Sequence, residues 1–226
     1  MNDAMRTTDY LRKMRDDWDE RARLNAHHFI ADGKEQWSEE DFYASGRITV
    51  QGDILTDMVN ICQGRQPKKM RVLELGCGAG RVTHALAGVF GSVDGVDVSP
   101  EMIQRARTAL RHVPNAQVHL IDGISVQPVR GGHFDFAYSC CVFHHISSYE
   151  VIRGLVQDIG ALLSPGDLFK FEVQGCAAVQ SGIGETWLGM PFSEQRAGQL
   201  AQDSGFELRY HAGAGEERFW LWFFKK

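Results

Sequence analysis

The chain has 226 residues, of which 43% are hydrophobic and 23% charged, and its formal net charge is −5. The length and composition predict one sizeable globular core, and the negative charge disfavours a nucleic-acid partner because it leaves no global basic surface. The charged N-terminal region is not typical of a signal peptide, and no apolar run approaches the roughly 20 residues of a membrane-spanning helix, so we expect a cytoplasmic protein without a membrane partner.

The N-terminal region predicts helices followed by a break. Apolar side chains recur every three to four residues over 8–30, the spacing of an amphipathic helix. The polar segment 32–46 predicts a loop with one helical turn, and 48–62 predicts a second helix before a break at 64–69. Trp18, Trp37 and Tyr43 in this region either cover a ligand or pack the helices onto the rest of the chain.

From Met70 onwards, short apolar segments alternate with helical ones. The predicted strands are 71–75, 92–98, 116–121, 134–140, 168–173, 207–211 and 218–224. The predicted helices are 81–90, 100–112, 149–163 and 193–204. This alternation indicates an α/β fold, a parallel sheet with helices on both faces. The apolar tail, 219–224, would promote aggregation if exposed, so we predict a strand buried on both faces inside the sheet.

Residues 72–81, Val-Leu-Glu-Leu-Gly-Cys-Gly-Ala-Gly-Arg, lead from an apolar strand into three alternating glycines. Gly76, Gly78 and Gly80 leave bare main chain where the strand turns into a helix, so a ligand can lie against the backbone. The G-x-G-x-G spacing differs from the G-x-G-x-x-G of dinucleotide sites and from a P-loop. It indicates a ligand that carries a nucleoside but needs no phosphate cradle.

Polar residues also follow the next three predicted strands, at the sheet edge where open α/β sheets bind ligands. Asp97 lies 19 residues after Gly78, a spacing suited to accepting hydrogen bonds from ribose hydroxyls. Asp122, just before Gly123, is placed to read the exocyclic amine of a purine. A strand end at 139–146 carries two adjacent histidines, and histidine side chains titrate near neutral pH.

The five cysteines form no C-x-x-C pair and have no histidine at zinc-ligand spacing. Their odd number and apolar neighbours indicate reduced, mostly buried thiols. We therefore predict no metal site, and we interpret Cys140 and Cys141 as small core residues rather than nucleophiles.

These segments, in this order, resemble the class I S-adenosylmethionine-dependent methyltransferases over about residues 70–175. Residues 72–81 resemble the glycine-rich first motif and 93–103 the second. Asp122 and Gly123 resemble the third motif, 134–146 the fourth, and 162–166 the helix end before strand five. Asp167 departs from the pattern, since a second glycine is common there. The resemblance implies a Rossmann-like, mostly parallel sheet of seven strands, with an antiparallel last strand between strands five and six.

The resemblance also implies S-adenosylmethionine as the cofactor, with Asp97 as the ribose ligand and Glu74 near the methionine amino group. Residues 1–66 would form an N-terminal helical segment that packs on the cofactor site of a methyltransferase domain, 67–226, within one structural domain. The implied cofactor-binding residues are Glu74, Gly76, Cys77, Gly78, Gly80, Asp97, Val98, Met102, Asp122, Gly123 and Ser139.

Methyl transfer from a sulfonium depends mainly on positioning and on exclusion of water, because the leaving group is already activated. A general base helps when the acceptor is protonated, and we predict His144 or His145 for that role. The expected reaction moves a methyl group to an oxygen or nitrogen atom of a small molecule, with residues 174–191 and the N-terminal helices selecting the acceptor.

Two other functions stay open from the sequence. The first is a regulatory or interaction module that binds S-adenosylmethionine without catalysis, because fold and cofactor site do not prove turnover. The second is a nicotinamide-dependent oxidoreductase, which the glycine spacing disfavours. The sequence leaves the oligomeric state open.

Overall fold

Seven strands form one sheet in the computed structural model, which describes residues 3–31, 34–129, 132–179, 182 and 184–226. The strands are β1 (Arg71–Leu75), β2 (Ser92–Asp97), β3 (Ala116–Leu120), β4 (Phe134–Ser139), β5 (Leu163–Gln174), β6 (Phe206–Ala212) and β7 (Arg218–Lys225). Their order is β3-β2-β1-β4-β5-β7-β6, and β7 runs antiparallel to β5 and β6. The predicted fold, including the position of the last strand, is confirmed.

Helices cover both faces of this sheet, as predicted. They are α1 (Asp3–Ile30), α2 (Glu39–Asp53), α3 (Met58–Cys62), α4 (Arg81–Val89), α5 (Pro100–Ala109), α6 (Tyr149–Gly160) and α7 (Glu194–Asp203). Along β1, Val72 packs in the core that contains side chains of α2, α3 and α4. Leu73 and Leu75 point the other way, into the core formed with α6 and α7, as the two-residue period of a strand requires.

Strand β7 explains the apolar tail. Phe219, Leu221 and Phe223 belong to the core on the α6 and α7 side of the sheet. Phe224 belongs to the opposite core, where Trp220 and Trp222 pack against it. Both faces of the strand are therefore covered, which is why its sequence is a continuous apolar run rather than an alternation.

The N-terminal helices differ from the prediction. Residues 32–46 were expected to be mostly loop, but α2 begins at Glu39, with the Ser38 hydroxyl accepting a hydrogen bond from Asp41 N at 3.1 Å. A serine cap followed by acidic residues stabilises a helix N-terminus, and this local signal outweighs the polar composition. Residues 32 and 33 of that predicted loop lie outside the described residues.

The helix predicted over 48–62 is interrupted after Asp53. Lys170 Nζ donates hydrogen bonds to the Asp53 carbonyl at 2.5 Å and to Asp57 Oδ2 at 2.9 Å. Asp57 N then donates to Ile54 O, so a 3₁₀ turn at Leu55–Asp57 separates α2 from α3. A buried lysine on β5 therefore breaks the helix, which helical periodicity cannot reveal.

Strand β5 also begins earlier than predicted, because Leu163 already pairs with Phe134 before a register shift. The segment 162–166 is therefore largely strand rather than a helix end. Asp167 stabilises this start, accepting hydrogen bonds from Ser164 N at 2.9 Å and from Arg65 at 2.6 Å. The other predicted strands agree with the structure to within one residue at each end.

Candidate active site

A pocket opens at the carboxyl ends of β1, β2 and β4, under α1. The space between its walls measures about 870 Å³, a volume that includes space open to solvent. Strand order reverses between β1 and β4, and open α/β sheets bind ligands at such a switch point. The predicted cofactor residues on the pocket wall are Glu74, Gly76, Cys77, Gly78, Asp97, Val98, Met102 and Gly123.

The glycine loop turns sharply between β1 and α4. Gly76, Gly78 and Gly80 have φ values of 76°, 51° and 84°, a region that favours glycine. The N–H groups of Gly76 and Cys77 both donate to Val96 O, at 2.7 and 3.0 Å. These bonds tie the loop to β2 and leave its other side facing the pocket.

Asp97 links the end of β2 to this loop. Its Oδ2 accepts a hydrogen bond from Gly78 N and its Oδ1 accepts one from Ser99 N, both at 2.9 Å. Burial raises the pKa of Asp97, and the hydrogen bonds from Ser99 and Gly78 act against that rise. The carboxylate lies on the pocket wall and also orders two of the backbone turns around it.

Glu74 is a second acidic residue on the wall, and only 4% of its surface is exposed. Thr83 Oγ1 donates a hydrogen bond to Glu74 Oε2 at 2.5 Å. Burial raises the pKa of Glu74 to about 7, although Thr83 and the nearby charge of Arg81 lower it. Glu74 can therefore change charge near neutral pH inside the pocket.

Helix α1 forms the roof of the pocket. Met14, Trp18 and Ile30 contribute to its wall. Asp19 Oδ1 accepts hydrogen bonds from Glu101 N at 3.0 Å and from the Ser99 hydroxyl, at the N-terminus of α5. A carboxylate in that position is favoured by the helix dipole. These bonds hold α1 next to the turn that follows Asp97.

The same helix contacts the loops at the other end of the pocket. Tyr10 OH accepts a hydrogen bond from Ser147 N at 3.0 Å. Arg21 donates to Thr186 O at 3.1 Å, and its guanidinium lies 4.8 Å from the ring centroid of Trp18. Helix α1 thus bridges the β2 edge of the pocket and the segment that carries Trp187.

The two candidate histidines differ in position. His145 lines the pocket; its Nδ1 bonds Trp187 O at 2.6 Å, and its ring lies 5.0 Å from that of Trp18. His144 lies behind it, with its Nε2 3.0 Å from His145 Nε2. Burial and the charge of Arg218 lower the pKa of His144 to about 4. The structure therefore makes His145 the better placed of the two for an acceptor.

Three predicted cofactor residues are absent from the pocket wall among the described residues. Asp122 Oδ1 accepts from Ile124 N at 3.0 Å and from Ser125 N at 2.8 Å, so its side chain closes a turn. The Ser139 hydroxyl is buried and donates to Leu75 O at 3.0 Å. Gly80 faces Ala106 and Leu110 of the α5 region. Their roles as cofactor ligands stay predictions.

Other pocket residues were not predicted as site residues. Arg81 directly follows the glycine loop and donates to Thr49 Oγ1 at 2.9 Å, which ties α2 to the site. Cys140 and Cys141 also lie on the wall, although they were interpreted as core residues. Their place at the end of β4, beside the sheet edge where a ligand was predicted to bind, was a signal that could have identified them as pocket residues.

The aromatic residues singled out in the sequence also differ in whether they reach the pocket. Trp18 lines the pocket, whereas Trp37 packs on Phe42 and Tyr43 OH donates to Ala79 O at 3.4 Å. In the predicted acceptor segment 174–191, Trp187 lies 4.9 Å from the His145 ring. Residues 180, 181 and 183 of that segment lie outside the described residues.

Residues 72–166, which contain the glycine loop, Asp97 and the β4 strand end, match the family described as methyltransferase domain. Residues 72–166 form a methyltransferase domain. An uncharacterized methyltransferase from Synechocystis sp. is 26% identical over 156 residues, which are 64% of this chain and 71% of that protein. A ribosomal RNA small subunit methyltransferase C from Idiomarina loihiensis is 31% identical over 105 residues, which are 45% of this chain and 30% of that protein.

Solved structures share the fold of this methyltransferase domain together with its N-terminal helices. A magnesium protoporphyrin IX methyltransferase from Synechocystis PCC 6803 with bound SAM superimposes with a TM-score of 0.69 and 17% identity. The alignment covers 96% of this chain and 97% of that one. No helix within the described ranges has the length and apolar character needed to cross a membrane.

Proposed function

We propose that this chain transfers a methyl group from S-adenosylmethionine to an oxygen or nitrogen atom of a small molecule. The observation that carries the proposal is the bond between Asp97 and Gly78, which places a carboxylate and a glycine loop on one pocket wall. The proposal includes a cytoplasmic location and no nucleic-acid partner, in keeping with the net charge of −5.

The pocket residues fit a nucleoside with an amino-acid tail. A Cβ on Gly78 would lie 2.9 Å from Ile30 Cδ1, and one on Gly123 would lie 2.9 Å from Met14 Cε. Side chains at these two glycines would therefore fill the space between the loops and α1. Asp97 would bind the ribose hydroxyls, and Glu74 would face the amino group of the methionine part.

The bound cofactor would supply an activated methyl group on a sulfonium. The protein would then hold the acceptor in line with that group and exclude water. Helix α1 would roof the cofactor through Met14 and Trp18, in agreement with the proposed division into 1–66 and 67–226. His145 would accept a proton at Nε2 from a hydroxyl or ammonium acceptor, which requires its hydrogen bond with His144 Nε2 to open, with Trp187 O orienting its ring.

Calorimetric titration with S-adenosylmethionine and S-adenosylhomocysteine tests the cofactor, and release of S-adenosylhomocysteine across a panel of small-molecule acceptors tests turnover. We expect binding of both compounds and acceptor-dependent release. Binding without turnover over the whole panel would favour the non-catalytic module. Binding of NAD in place of both compounds would contradict the proposal.

The raised pKa of Glu74 predicts that cofactor affinity depends on pH. With its pKa at about 7, Glu74 is mostly uncharged at pH 5.5 and cannot attract an ammonium group until it loses a proton. Because binding then requires deprotonation, the affinity for S-adenosylmethionine should fall about 15-fold between pH 7.0 and pH 5.5. Calorimetry at both pH values measures this difference. The Glu74→Gln variant should bind weakly with a flat profile, and a flat profile for the wild type would contradict the assignment.

Replacing His145 tests whether this residue acts as a general base on the methyl acceptor. If His145 is a general base, His145→Ala should lower kcat/KM for the acceptor about 100-fold, with the Kd for S-adenosylhomocysteine nearly unchanged. His145→Gln keeps a donor for Trp187 O but cannot take up a proton. Recovery of activity in the glutamine variant would therefore indicate a positioning role rather than base catalysis.

A further inference from the structure

Cys140, Cys141 and Glu172 form a cluster of metal-binding side chains next to the pocket. The two thiol Sγ atoms and a carboxylate oxygen all lie within 4.8 Å of one another. Cys140 Sγ is 3.5 Å from Cys141 Sγ and 3.8 Å from Glu172 Oε1. The ligand atoms of a tetrahedral zinc site are roughly 3.3–3.8 Å apart, given Zn–S and Zn–O bonds of about 2.3 and 2.1 Å. These distances match the ligand spacing of a single ion.

Two buried polar atoms of this cluster have no hydrogen-bond partner in the described part of the chain. They are Glu172 Oε2 and His144 Nδ1. Glu172 has no exposed surface, and its Oε1 lies 3.6 Å from His144 Nδ1. A buried carboxylate normally has a full set of partners because losing its hydration is costly. Glu172 Oε2 lies 3.9 Å from the Arg218 guanidinium, beyond hydrogen-bond distance, so its unfilled position points to a further ligand.

The hydrogen bonds of the two histidines define what His144 offers. Trp187 O can only accept, so His145 Nδ1 carries a hydrogen atom. When His145 is neutral, its Nε2 accepts from His144 Nε2 at 3.0 Å. A neutral His144 then has a free lone pair on Nδ1, directed towards the Glu172 carboxylate. Two electron-pair donors then lie 3.6 Å apart, and a cation bound by Glu172 would relieve their repulsion.

Cys141 has a φ of 58°, which is unusual for a residue other than glycine. In this conformation Cys141 N donates to Glu172 Oε1 at 2.7 Å while its Sγ lies against that of Cys140. A residue with a side chain adopts this left-handed conformation only at an energetic cost. Such strain is concentrated at functional sites, where the surroundings hold it in place.

We propose that Cys140, Cys141 and Glu172 bind a Zn²⁺ ion. Two thiolates and a carboxylate carry three negative charges, and the ion together with Arg218 would neutralise them. The Arg218 guanidinium lies 3.0 Å from Cys141 Sγ and 3.9 Å from Glu172 Oε2. Because both cysteines line the pocket, the ion can enter from there. The proposal does not depend on methyl transfer.

The test uses the purified full chain, kept reduced and freed of metal with a chelator. Zn²⁺ affinity is measured by competition with a chromophoric chelator, and Co²⁺ is used as a spectroscopic probe. We expect one equivalent of Zn²⁺, together with the intense visible bands of tetrahedral Co²⁺ and a thiolate-to-cobalt charge-transfer band. Each ion should release protons on binding, because cysteine binds metals as the thiolate.

Four variants assign the ligands. Cys140→Ser, Cys141→Ser and Glu172→Gln should each weaken Zn²⁺ binding at least about 100-fold and alter the Co²⁺ spectrum, whereas His144→Gln, which changes a neighbour of Glu172, should weaken it about tenfold at most. Cys176→Ser is the matched control, because this thiol lies outside the cluster, and it should change affinity less than threefold. Circular dichroism checks that each variant folds. If Glu172→Gln does not fold, Cys141→Ser still tests the site, because Cys141 is only half-buried.

Several results would overturn the proposal. They are weak octahedral Co²⁺ bands, no stoichiometric Zn²⁺ uptake, or equal affinities in the cluster variants and Cys176→Ser. Failure of the chain to bind S-adenosylmethionine would leave the metal test unaffected, so the two proposals can fail separately.

Discussion

The Asp97→Ala variant should bind S-adenosylmethionine about 100-fold more weakly than the wild type. Asp97 accepts hydrogen bonds from Gly78 N and Ser99 N, and the proposed ribose contact would add another. Hydrogen bonds to a charged group contribute about 1.5–3 kcal/mol each, so a net loss near 3 kcal/mol corresponds to about two decades in Kd. Isothermal titration calorimetry measures the change, and circular dichroism confirms that the variant folds.

Asp122→Ala is the matched control for this experiment. Asp122 is also an aspartate after a parallel strand, but its carboxylate closes a turn with Ile124 and Ser125. We expect its cofactor affinity to stay within about threefold of the wild type. A loss as large as that of Asp97→Ala would show that Asp122 contacts the cofactor directly, as the sequence interpretation has it.

The Gly76→Ala variant should lose about 3 kcal/mol of folding stability. A Cβ at this position would lie 2.1 Å from Val142 Cγ2, which is a severe overlap. The φ of 76° adds roughly 1–2 kcal/mol for an L-residue. Urea denaturation followed by circular dichroism measures the loss, and the cofactor pocket should be distorted because Val142 also lines it.

Two comparisons separate the causes of that loss. Adding Val142→Ala to Gly76→Ala removes the overlapping methyl group and should restore part of the stability, leaving the cost of the positive φ. Gly88→Ala in α4 introduces a Cβ with nothing within 4 Å, so it should stabilise the helix by up to about 1 kcal/mol. A Gly76→Ala protein as stable as the wild type would contradict the steric argument.

Strand and helix positions after Met70 were predictable because the signals are local. An apolar run of five or six residues, a glycine turn and a serine before a helix each act within a few residues of the chain. Ser99, for example, caps α5 by accepting from Met102 N at 3.1 Å, as its place before Pro100 suggests. The helix break at Asp53 was not predictable, because it depends on Lys170 of β5.

The candidate site likewise combines features that the sequence predicts with features that depend on long-range contacts. Asp97 and Asp122 are equivalent in a sequence that predicts strand ends, yet one faces the pocket and the other closes a turn. His144 and His145 are likewise indistinguishable in the sequence. The hydrogen bond of His145 to Trp187 O and the burial of His144 distinguish the two side chains. The bond between His145 and Trp187 connects residues about forty positions apart in the chain.

By itself, the sequence determined the seven strands, the glycine loop and the pocket edge, because periodicity and backbone freedom are properties of short segments, and the family resemblance implied how the strands join into one sheet. Only the tertiary structure decided which side chains meet. Asp19 of α1 caps α5, and Glu172 of β5 joins two cysteines at the end of β4. Such meetings depend on the packing of distant elements against a common sheet, and sequence spacing does not contain that information. For this reason, Cys140, Cys141 and Glu172, whose spacing in the chain indicates no metal site, have ligand atoms within 4.8 Å of one another in the fold.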